Sequence, residues 1–137
     1  MPYGSLLADT VQSSTSGTAP TFKDGNGTET GTLCRAWVNF NGTGTVAINA
    51  SFNVSSITDN GTGDYTVNFT TALPDANYCV STTAQVIADQ GSSYQFGLRT
   101  TTNASTAPTT KTTTAVRLLS RRESDVDLQN CNVAIFR

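Results

Sequence analysis

From residue 33 onward, apolar and polar side chains alternate with the period of two that sends successive residues to opposite faces of a β-strand. Ala36, Val38 and Phe40 alternate with Arg35, Trp37 and Asn39. Asn41-Gly42 follows, the dipeptide favoured in tight hairpin turns. Val46, Ile48, Ala50 and Phe52 then alternate with Thr45, Ala47, Asn49 and Ser51. The two runs predict a hairpin with one face of branched and aromatic side chains. A turn over residues 59–64 leads to Tyr65, Val67 and Phe69, a strand that ends at Leu73-Pro74-Asp75 because proline removes a ladder donor. Phe40, Ile48, Phe52, Val67 and Phe69 are the expected core.

A longer strand is expected over residues 78–87, with Tyr78, Val80, Thr82, Ala84 and Val86 on one face. Tyr94, Phe96 and Leu98 form the next run, and Val116 and Leu118 begin another. Residues 100–114, mostly Thr, Ser, Ala and Pro, read as an exposed loop. In the last run the apolar positions change parity between Leu128 and Val133, which predicts a β-bulge near residues 129–131. About seven or eight strands at this spacing, with no helical period anywhere, predict an all-β chain: an antiparallel β-sandwich or a jelly-roll-like fold. Residues 1–32 are rich in Ser, Thr, Gly and Pro and have weak periodicity. They read as an extended N-terminal arm, ahead of a β-sandwich domain at 33–137.

Composition agrees with this pattern. The chain has 137 residues, enough for one domain with its own core, and 25 of them are threonine, a residue stiff at χ1 and suited to strands. Charged residues make up only 13% and the net charge is −2, which argues against a nucleic-acid partner, since that needs a phosphate-neutralising basic face. There is no histidine, so the commonest acid–base group and metal ligand is missing. No cofactor, no metal and no membrane partner is expected. The N-terminus lacks the basic and apolar regions of a signal peptide, so synthesis and folding in a cytoplasm are expected. Cys34, Cys79 and Cys131 are odd in number and widely spaced, and read as reduced thiols, buried or half-buried.

Several residue groups carry candidate chemistry. Seven Asn-x-Ser/Thr triplets, from Asn26 to Asn103, follow from the abundance of Asn and Thr. Asp59 and Asp64 flank an Asn-Gly turn and offer oxygen ligands, but their spacing fits a plain turn better than a calcium loop. The carboxylates Asp24, Glu29, Asp59, Asp64, Asp75 and Asp89 all lie in turn-like segments, where solvation rather than a glycosidase pair is expected. Arg117, Arg121 and Arg122 read as a solvated strand end, or as forming an inter-subunit ion pair with Asp125 or Asp127. Trp37, on the polar face of its strand beside Arg35 and Asn39, suits a subunit interface or a sugar. Together with Leu6, Leu7 and Val11 of the arm it is the expected oligomer interface. Ser92, Ser93, Tyr94 and Gln95 combine an aromatic ring with hydroxyl and amide groups, and they are the expected binding residues, within a recognition region at 88–112 and not at 33–78.

Three segments together resemble a known module. These are Gly4-Ser5-Leu6-Leu7-Ala8-Asp9-Thr10-Val11-Gln12-Ser13-Ser14, then Leu33-Cys34-Arg35-Ala36-Trp37-Val38-Asn39-Phe40-Asn41-Gly42-Thr43-Gly44-Thr45, and the stretch from Ser51 to Phe69 that runs on through Leu73-Pro74-Asp75-Ala76-Asn77-Tyr78. They resemble a module of tail-fibre and other small virion proteins of marine tailed phages, cyanophages among them, as does the closing Asn132-Val133-Ala134-Ile135-Phe136-Arg137. The resemblance is weakest over residues 80–122. It implies a non-enzymatic virion structural protein, a homotrimer when it forms a fibre tip, in contact with other virion proteins and with host surface glycans. A capsid decoration protein, or a neck or tail adaptor with no receptor contact, is the alternative it leaves open.

Overall fold

The computed structural model describes residues 8–14, 20–85, 94–98, 110–121 and 124–137. It divides into two compact units, Met1–Leu33 and Cys34–Arg137. Among the described residues there are ten strands and no helix, so none of them forms a helix able to cross a membrane.

The first unit contains a two-stranded antiparallel pair, β1 (Phe22–Lys23) and β2 (Glu29–Gly31), where the sequence had predicted only an extended arm. Asp24 closes the turn. Its Oδ1 accepts hydrogen bonds from the backbone N–H of Asn26 and of Thr28, each at 2.9 Å. This side-chain-to-backbone geometry makes Asp a turn former.

The second unit is a sandwich of two four-stranded antiparallel sheets, as the alternation predicts. One sheet has the order β4 (Ala47–Phe52), β3 (Cys34–Asn41), β10 (Gln129–Phe136), β7 (Cys79–Gln85). The other has β5 (Val54–Asp59), β6 (Asp64–Phe69), β9 (Ala115–Arg121), β8 (Gln95–Leu98). The first and last strands of the unit, β3 and β10, lie side by side in the middle of one sheet. The core between the sheets contains Ala36, Val38, Phe40, Tyr65, Val67, Phe69, Val116, Leu118, Leu128, Cys131, Val133 and Ile135, all buried. Phe40 meets Tyr65 edge to face, with ring centres 5.2 Å apart, a favoured aromatic geometry.

Two elements differ from the expected pattern or explain it. The bulge predicted near residues 129–131 is present: β10 slips register against β7 between Gln129 and Asn132, and Asn130 takes a left-handed φ of 46°. That extra residue lets Leu128 and Cys131 both point inward. The expected core is corrected at β4. Phe40, Val67 and Phe69 are buried, but Ile48 is 36% exposed and Phe52 is 55% exposed. β3 and β4 also slip register, between Asn39 and Phe40, so that Ile48 is opposite Phe40 while Ala50 and Phe52 are opposite Asn39 and Trp37. Paired residues share a face. The slip therefore moves Ala50 and Phe52 onto the outward face of this edge strand.

One end of the sandwich is closed by polar ties between loops. The Tyr65 hydroxyl is 2.7 Å from Asp127 Oδ1 and 2.9 Å from the Gly42 carbonyl. The same Asp127 oxygen accepts the Gly63 N–H at 2.7 Å. Gly63 has a φ of +69°, and a Cβ there would be 2.5 Å from the Ser120 carbonyl, so only glycine fits. Burial first, and the bond to Asp127 second, push the Tyr65 phenol well above its ordinary pKa.

Candidate binding face

The outward face of the β4-β3-β10-β7 sheet is built by simple alternation. Each inward residue of β3 and β10 has outward neighbours: Trp37 and Asn39 on β3, Asn132 and Ala134 on β10. Register places Ala134 between Trp37 on one side and Ser81 on the other, and Asn132 between Asn39 and Thr83. Trp37 is 40% exposed, and Phe52 lies directly opposite it on β4. Trp37, Ser81, Thr83, Asn132 and Ala134 enclose a shallow depression of about 230 Å³. It is hollow because the small Ala134 side chain lies between larger neighbours.

Beside it, side-chain amides are joined across strands. Asn49 Nδ2 donates to Asn39 Oδ1 at 2.7 Å, and Asn39 Nδ2 donates to Asn132 Oδ1 at 2.7 Å. Asn132 Nδ2 then donates to the Asn130 carbonyl, and Asn130 Nδ2 to Gln85 Oε1, both at 2.8 Å. The row crosses all four strands of the sheet. Because a primary amide has two donor hydrogens and two acceptor lone pairs, Asn39 and Asn132 each keep one donor and one acceptor for solvent or ligand.

Several charged side chains are engaged elsewhere. Asp64 forms a two-pronged pair with Arg117 at 2.8 and 2.9 Å, which raises the Arg117 pKa. Asp59 Oδ1 accepts the Gly61 N–H, so this turn is held by its own hydrogen bonds and by the Asp64–Arg117 pair. Arg121 approaches Asp125 at 3.8 Å. Asp75 pairs with Arg137, whose hydrogen bonds, reinforced by the Asn77 N–H, hold the Asp75 carboxyl down to about 2. Among the described residues no group of three or more Cys, Asp or Glu is placed to hold a metal ion.

The residues singled out from sequence are found in different places. Tyr94 and Gln95 are on the edge at β8, beside a cleft of about 330 Å³ shared with Thr82, Thr83, Ala84, Phe96 and Leu128. Tyr94 is half-buried and packs on the core, and Gln95 is exposed. Ser92 and Ser93, and most of the region 88–112, lie outside the described residues, as do Leu6 and Leu7. Val11, in the N-terminal unit, is 60% exposed. The expectation for the thiols is corrected at Cys79, which is exposed, while Cys34 is half-buried and Cys131 buried. Asn39, Asn132 and Ala134 were not singled out by sequence reasoning. Their only signal was the polar phase of two strands whose pairing the sequence does not reveal.

No protein-family model, no curated protein and no solved structure matches the chain.

Proposed function

We propose that the chain is a non-enzymatic structural protein of a phage particle, of tail-fibre type, whose sandwich touches the host surface. The single observation that carries the contact reading is the outward sheet face, where exposed Trp37 and Phe52 stand beside a row of joined amides. A rigid sheet that presents an aromatic ring and oriented polar groups is suited to recognition. The sequence resemblance supports the virion role. In this reading the protein is a homotrimer, and the exposed Val11, Phe22 and Leu33 of the N-terminal unit supply apolar surface for joining copies or other virion proteins.

Three measurements test it. Purified protein added to host cells ahead of the phage should compete for adsorption, and antibody labelling should decorate the tail tip. Labelling confined to the capsid or neck, with adsorption unchanged, would establish the decoration or adaptor role instead. Sedimentation at micromolar concentration should give a trimer, and a monomer there would refute that part.

A further inference from the structure

We infer that the depression over Ala134 is a binding site for a neutral saccharide, with a sugar ring on Trp37 and its hydroxyls on Asn39 and Asn132. This rests on the host-contact reading above and names the ligand class and the place of contact.

The chemistry is specific to that ligand. A pyranose ring has a C–H face that packs on an indole and a rim of hydroxyls that both donate and accept. Trp37 supplies the exposed indole. Asn39 and Asn132, on neighbouring strands and directly opposite each other, supply a spare donor and a spare acceptor each. Trp37 and Asn132 are diagonal neighbours on the same face, roughly 7–8 Å apart between Cα atoms, a separation that one sugar ring spans. Ser81 and Thr83 add hydroxyls along the opposite wall.

The amides are also held in advance. Asn39 accepts from Asn49 and donates to Asn132, and Asn132 donates in turn to the Asn130 carbonyl. Their side chains are thus fixed before a ligand arrives, which removes much of the ordering cost of binding.

Charge selects the ligand class. No residue lining the depression is charged. Arg117, Arg121 and Arg137 are paired with Asp64, Asp125 and Asp75. An acidic sugar therefore finds no counter-charge among the described residues that line the depression, and Arg35, two positions before Trp37 on β3, stands outside that lining. The small volume, about 230 Å³, fits one ring and leaves the rest of a chain in solvent.

Trp37 is the chain's single tryptophan, so its emission reports on this site alone. The full chain is titrated with glucose, galactose, mannose, N-acetylglucosamine and their short oligomers, with polygalacturonate as the acidic comparison. At least one neutral saccharide should shift the emission saturably. Asn132→Ala should then weaken that saccharide at least tenfold, while Arg121→Ala on the other sheet leaves it unchanged. Circular dichroism checks that both variants are folded, and calorimetry with Trp37→Ala provides a reading independent of the fluorophore. The proposal is overturned if no neutral saccharide acts at about 100 mM, far above the millimolar range of weak binding. Equal binding of polygalacturonate, or unchanged affinity in Asn132→Ala, overturns it as well. An emission shift that follows protein concentration alone would assign the face to a second copy and also overturn it. If the protein blocks adsorption but the titrations fail, host contact stands and this site falls; the reverse outcome separates them the other way.

Discussion

The Tyr65 hydroxyl and the Asp127 carboxylate meet at 2.7 Å, joining the start of β6 to the loop that leads into β10. Tyr65 is fully buried, and its ring packs on Phe40. One side chain thus serves the core and the closed end of the sandwich together. Tyr65→Phe keeps the ring and removes the hydroxyl, and with it the one donor hydrogen that Asp127 and the Gly42 carbonyl share. The expected cost is about 1–3 kcal/mol, read from the urea midpoint with an unchanged slope. A midpoint equal to wild type would show that the tie adds nothing to stability.

Alkaline pH should unfold the protein earlier than a sandwich without these groups. Burial pushes Tyr65 well above the ordinary tyrosine value, Tyr78 up to about 12 and Cys131 up to about 12. A group whose pKa is raised by folding contributes fully below its unfolded value and loses that contribution as pH rises toward its folded value. Stability should be level near pH 8 and fall from about pH 9, as the unfolded thiol and then the unfolded phenols ionise. Asp75 has the opposite sign. Lowered to about 2, it contributes above its ordinary value of 3.8 and stops contributing as pH falls through 2. Urea melts across pH 2–12 measure both limbs, and flat stability to pH 11 would contradict the alkaline one.

Two phenylalanines that look alike in sequence should behave differently. Phe69→Ala empties a buried site beside Tyr78, whose ring centre is 6.0 Å away, and should cost about 3–5 kcal/mol. Phe52→Ser removes a half-exposed ring from the outward face and should change stability by under about 1 kcal/mol. Chemical denaturation of the two variants checks the facing of β4. Equal losses would mean that Phe52 is in the core after all.

The three thiols should remain free and react unequally. Phe136 pairs with Cys34 on one side and Cys79 on the other, so these two cysteines are two strands apart. That is roughly 10 Å, beyond the ~7 Å between Cα atoms that a disulfide bridges. Native-state alkylation should label exposed Cys79 first and leave buried Cys131 unlabelled, and denaturation without reductant should expose all three. Recovery of only one label after denaturation would reveal a disulfide.

Much of the fold was legible in the linear pattern, because period-two alternation is a local property. It identified most of the sandwich strands, set Trp37 opposite the buried Ala36, Val38 and Phe40, and located the bulge now seen at Asn130 from a parity change between Leu128 and Val133. The facing of β4 was not legible. Ile48, Ala50 and Phe52 keep perfect alternation, and the slip that turns Phe52 outward exists only in their pairing with β3. The binding face was hidden for the same reason. Asn39 and Asn132 are 93 positions apart, and only the pairing of the first and last strands of the sandwich brings them to 2.7 Å. Outside β4, the sequence alone determined which residues share a side of each sandwich strand it identified. Which strands are neighbours, and therefore which polar sides join into one surface, was decided by burying Phe40, Tyr65, Val133 and their neighbours in a common core. That is a long-range packing choice, and no short window of sequence records it.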